Sequence, residues 1–121
     1  MPTPEEMGMV WMAGDMLTIT NQYIIAAAGA YSTKNIFFSI PLGKPVTASG
    51  VKVSVMEGNI RQGGNIIKEA GSLLKGATPI LTLIKPMGLL TIQLQHDAGL
   101  SDITSNSPVA VAINKLEIEF I

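Results

Sequence analysis

Apolar and polar residues alternate with a period of two along most of this chain. Leu17 and Ile19 alternate with Thr18 and Thr20, and Ile36, Phe38 and Ile40 with Phe37 and Ser39. The same pattern recurs in Val51, Val53 and Val55 against Lys52, Ser54 and Met56, and in Leu90, Ile92 and Leu94 against Thr91, Gln93 and Gln95. Such alternation marks half-buried strands, because successive side chains of a strand point to opposite faces. Pro41 and Pro45 close the second of these segments, and Ile80–Ile84 forms a short apolar strand between Pro79 and Pro86. Residues 60–62 and 65–68 read as a hairpin about Gly63-Gly64.

Three stretches depart from simple alternation. The run QYIIAAAGA, residues 22–30, is short, contains paired isoleucines and lies between strand-like segments, so a strand is preferred over a helix. Residues 66–75 alone have a helical option, and Gly71 interrupts it. Near the C-terminus Val109, Val111 and Ile113 share one parity, whereas Leu116, Ile118 and Phe120 share the other. Burying both sets requires a bulge or bend at Asn114-Lys115, since a one-residue slip exchanges the faces of a strand. About eight short strands punctuated by Gly and Pro predict an all-β domain of the sandwich or jelly-roll class. Residues 1–14, broken by Pro2, Pro4, Gly8 and Gly14, read as an extended N-terminal arm ahead of a domain over 15–121.

Composition adds one unusual property. Hydrophobic residues make up 47% of the 121, but charged residues only 14%, against about 25% in an average domain. Low charge fits either a surface of Ser, Thr, Asn and Gln or, the reading preferred, a surface covered in an assembly, with Ala26-Ala27-Ala28 as a candidate contact where small side chains let a subunit approach. The formal net charge of -1 leaves no basic footprint for nucleic acid. Cysteine is absent, excluding disulfides, thiolate metal sites and a cysteine nucleophile. No apolar run approaches the ~20 residues of a spanning helix, so membrane insertion is not expected. The start MPTPEEMG lacks the basic region of a signal peptide.

Candidate chemistry is sparse. His96, Asp97 and Asp102 offer one imidazole and two carboxylates with no second histidine, short of the three or four well-placed ligands a metal site wants, so a polar loop is the reading preferred. Glu117 and Glu119 share a strand face and would suit acid–base work on a glycan only within a cleft; a solvent face is the simpler reading. No Ser lies in a nucleophile-elbow pattern and no Gly loop has a phosphate-binding sequence. No enzymatic activity, metal or cofactor is therefore expected. For ligand binding the candidates are Arg61, Gln62 and Asn65 of the hairpin, with His96 and Asp97 after the penultimate strand. Arg61, the one arginine, is either fixed in a structural pair or offered to an acidic sugar or teichoic phosphate.

The order of the segments carries a resemblance. The turn Gly14-Asp15 precedes a short strand, followed by KNIFFSIPLGKP over 34–45, IRQGGNI over 60–66 and SNSPVAV over 105–111, with Glu119-Phe120 at the close. This series resembles the C-terminal domain of tail-fibre and minor tail proteins from phages and prophages of Gram-positive gut bacteria. Gly64-Asn65 departs from it, since a basic or aromatic residue commonly follows the glycine there. The resemblance spans nearly the whole chain and implies a homotrimeric β domain at the distal tip of a virion tail. It implies assembly in the host cytoplasm, contact with other tail proteins, and attachment to a host cell-surface polysaccharide. Alternatives from the same residues are a purely structural trimerisation or cap domain, a carbohydrate-binding module, or a glycan-depolymerising one.

Overall fold

The alternating segments fold into two four-stranded antiparallel sheets in a computed structural model that describes residues 8–26, 30–32, 35–74, 77–96 and 107–121. The strands are β1 (Met16–Ala26), β2 (Tyr31–Ser32), β3 (Asn35–Pro41), β4 (Val51–Gln62), β5 (Asn65–Ser72), β6 (Ala77–Ile84), β7 (Leu89–His96) and β8 (Val109–Phe120). One sheet has the order β1-β8-β4-β5 and the other β2-β3-β7-β6. The all-β sandwich expected from the alternation is present, and no α-helix occurs among the described residues. The stretch 66–75, with its helical option, is strand β5 as far as Ser72.

The core lies between the sheets. Ile36, Phe38 and Ile40 of β3 and Leu90, Ile92 and Leu94 of β7 face Met56, Ile60, Val111, Ile113, Leu116, Ile118 and Phe120 of the other sheet, and all are buried. Apolar area removed from water on both inner faces is the main stabilising term of such a sandwich.

Three neighbouring strands exchange faces partway along their length. In β8 both apolar triplets are buried and Asn114 and Lys115 are exposed, as the parity change requires. In β1 the inward residues shift from Leu17 and Ile19 to Ile24 and Ala26, and between them Asn21 adopts φ 55. Thr20 pairs with Lys115 and Gln22 with Ile113, so the two irregularities lie level and the register survives. In β4 the shift comes between Val53 and Val55, opposite Ile118 and Glu117. Ser54 is the extra residue, and beyond it Met56, Gly58 and Ile60 are buried. The sequence places Met56 on the polar face with Lys52 and Ser54; the bulge at Ser54 corrects that and turns Met56 into the core. A Cβ added to Gly58 would lie 1.9 Å from the carbonyl oxygen of Ala112, so only glycine lets β4 and β8 approach there.

Residues 8–14 pack on one end of the sandwich. Trp11 forms a parallel bridge with Val46, donates its indole N–H to the Leu42 carbonyl (2.8 Å), and stacks on Phe120 at 4.9 Å and 8°. The Lys44 ammonium covers the Trp11 ring at 4.1 Å and donates to the Gly8 carbonyl. Ala26, proposed above for a subunit contact, points into the core, and Ala27 and Ala28 fall outside the described residues.

Candidate functional site

The face exchange determines which side chains β1, β8 and β4 present outward beyond the kink. Residues directly opposite in antiparallel strands share a face, with Cβ atoms about 4.5–5.5 Å apart. Tyr23 stands opposite Ala112, which stands opposite Asn59. In the next outward row Ile25 faces Ala110, Ala110 faces Arg61, and Arg61 faces Ile66 of β5. The central strand of this patch therefore carries only methyl groups. Its neighbours carry an aromatic ring and a branched chain on one side, and an amide and a guanidinium on the other.

The result is a shallow trough. Ala110 and Ala112 form its floor, and the walls on β1 and β4 stand about 10 Å apart, twice the strand spacing. Tyr23 is 69% exposed and Ile25 53%, and the two stand on the same face of β1. Arg61 is exposed, and no hydrogen bond or ion pair to it exists among the described residues. The structural pairing weighed for Arg61 is thus not found. Its donors face solvent above the alanine floor.

The other expected site residues separate from Arg61 in different ways. Gln62 is 3% exposed, and its Nε2 donates to the Ser107 carbonyl at 2.8 Å. Tyr31 donates its hydroxyl to the same carbonyl, so the buried Gln62 joins the hairpin and β2 at the segment leading into β8. The reason is strand parity: Arg61 points out, so Gln62 points in. Asn65 opens β5 and is exposed beside the turn, where Gly63 takes φ 57. His96 ends β7 opposite Ala77, in the other sheet. Tyr31 pairs with Ile36 and Ile36 with Leu94, which places the β7 end at the same end of the sandwich as Gln62. Asp97 lies outside the described residues. Tyr23, Asn59, Ala110 and Ala112 escaped the sequence reading. Their only signal is the parity change flanking Asn114, which requires the neighbouring strands to be known.

Charges occupy the other half of this sheet face. Lys115 and Glu117 form an ion pair at 3.2 Å. Glu119 lies opposite Lys52 and Met16, and Glu117 opposite Thr18. Both carboxylates stand on the outer face of β8. No group of three metal-ligating side chains occurs among the described residues. No family model, no curated protein and no solved structure matches this chain.

Proposed function

We propose that this domain is a non-enzymatic binding module that attaches to a saccharide surface through the trough between Tyr23 and Arg61. In keeping with the resemblance of its segments, we place it at the tip of a phage tail, where the saccharide is a host cell-surface polysaccharide. The observation that carries this reading is the pairing, across a two-alanine floor, of an exposed aromatic ring with an unengaged guanidinium. An aromatic ring offers an apolar face to the C–H face of a sugar. A guanidinium offers a planar fork of donors to a carboxylate, phosphate or vicinal hydroxyls. Asn59 adds an amide on the same wall. The small floor leaves room for a chain to lie along β8.

The test is binding of the intact protein to purified cell-wall polysaccharide of candidate host strains, measured by calorimetry. Tyr23→Ala and Arg61→Ala should each weaken binding at least tenfold without altering the melting temperature. Undiminished binding by both variants would remove the trough from consideration. No binding to any saccharide would favour the purely structural alternative.

A further inference from the structure

Every Asp, Glu, Lys and Arg on a described strand lies on β4, β5 or β8. The sheet β2-β3-β7-β6 carries none. Among the described residues no strand lies beyond β6, and edges of sheets normally carry some device against pairing with another chain. The other described edges have one. β1 is broken by Asn21 at φ 55, β5 has two register shifts and carries Lys68 and Glu69, and β2 is two residues long. β6 pairs with β7 without interruption from Ala77 to Ile84 and has no charge; its one such device is Pro79 near its start, which leaves the edge from Ile80 to Ile84 unprotected.

The direction of its backbone groups follows from the ladder. The Phe37 N–H donates to the Ala30 carbonyl at 2.7 Å, away from β7. Strand N–H groups alternate in direction, so Ile36, Phe38 and Ile40 exchange bonds with Leu94, Ile92 and Leu90. Leu89, Thr91 and Gln93 then turn toward β6 and bond with Ile84, Thr82 and Ile80. This leaves the N–H and C=O of Leu81 and Leu83 directed out of the sheet. Pro79 shares their parity, so its missing N–H costs the β6–β7 ladder nothing, the placement a proline needs in an edge strand.

We infer that β6 pairs antiparallel with β6 of a second copy of this chain, with Thr82 on the two-fold axis. Leu81 and Leu83 of each copy exchange backbone bonds with Leu83 and Leu81 of the other, and the two sheets become one continuous sheet. Pro79 and Lys85 select this register. Moving the axis to residue 81 sets Pro79 opposite Leu83 and loses a donor on each side. Moving it to residue 83 sets Leu81 opposite Lys85, where the strand has ended in a 3₁₀ turn.

The side chains agree with the axis at Thr82. Ile80 and Ile84, 47% and 37% exposed, meet each other's counterparts across it, and β-branched pairs of this kind favour a sheet. Thr82 meets Thr82, and no like charges are brought together. A second copy is the occupant because the edge is complementary to itself, as an isologous contact demands. The inference does not depend on the trough, which lies on the other sheet, and it sets a two-fold assembly in place of the homotrimer that the resemblance implies.

The chain contains no cysteine, so one introduced thiol reports on one contact. Thr82 faces itself at a non-hydrogen-bonded position, where Cα atoms stand about 4.5 Å apart, within the reach of a disulfide. Thr82→Cys should therefore form a covalent dimer on mild oxidation, much faster than the control Thr18→Cys on β1. Light scattering on the unaltered protein at high micromolar concentration should give about 26 kDa, twice the chain mass, or an even multiple of the chain mass. Thr82→Lys should yield a folded monomer, and Thr18→Lys should leave the association intact. A monomeric or trimeric unaltered protein overturns the inference. So does equal cross-linking at Thr82 and Thr18, or a Thr82→Lys variant that still associates.

Discussion

Asn21 and Asn114 lie level with each other on β1 and β8, each at the point where its own strand exchanges inner for outer face. Because the two irregularities coincide, Thr20 still pairs with Lys115 on one side and Gln22 with Ile113 on the other. The consequence reaches the surface. Without the exchange Tyr23 and Ile25 would be core residues and Ile24 would be exposed, and there would be no trough.

β8 approaches β4 closely at Gly58. Gly58→Ala sets a methyl group inside the Ala112 carbonyl, against backbone that has no rotamer to escape into. We expect a loss of about 3 kcal/mol or more, at the upper end of overpacking effects. Urea denaturation checks it, and a loss below about 1 kcal/mol would mean that the strands separate there at little cost.

Adjacent residues of β4 should behave in opposite ways. Gln62→Ala removes a buried donor from the Ser107 carbonyl and should cost about 1–3 kcal/mol. Arg61→Ala, next to it and facing solvent, should stay within about 0.5 kcal/mol of the original protein. Thermal melts of the two variants under one condition decide this. A melting temperature that falls with Arg61→Ala and holds with Gln62→Ala would reverse the assignment of the two side chains.

Trp11 should contribute to stability although it precedes the first strand. Trp11→Ala forfeits the stack on Phe120, the bond to the Leu42 carbonyl and the Lys44 contact. Partial exposure places the expected loss at about 2–3 kcal/mol, below that of a fully buried tryptophan. Trp11 is also the only tryptophan, so its fluorescence in the unaltered protein should change together with the far-ultraviolet signal on unfolding. An earlier fluorescence transition would show that the segment detaches before the sandwich unfolds.

Glu117 and Glu119 should be dispensable. The Lys115–Glu117 pair is surface-exposed, and such pairs contribute about 0–1 kcal/mol. The double variant Glu117→Gln, Glu119→Gln should fold and bind as the original does. Release of reducing sugar from host polysaccharide by the original, lost in this variant, would establish the depolymerising alternative.

Local alternation by itself determined the strands. Val109, Val111 and Ile113 against Leu116, Ile118 and Phe120 announced a slip at Asn114, and Gly63-Gly64 announced a hairpin, because period and turn chemistry are properties of neighbouring residues. The inner faces of β3 and β7 were legible for the same reason, and Gln22–Ala26 was legible as strand from its short apolar run between strand-like segments. Which side chains share a surface was not. Tyr23, Ala112 and Asn59 are far apart in sequence and meet only through the order β1-β8-β4. Met56 and Gln62 face inward because of a bulge at Ser54 that alternation does not disclose. The open edge likewise exists only once β6 is known to lie last in its sheet. Strand order and bulge position are set by nonlocal packing of both inner faces at once, so the tertiary structure alone decided where this surface offers a trough and where an edge.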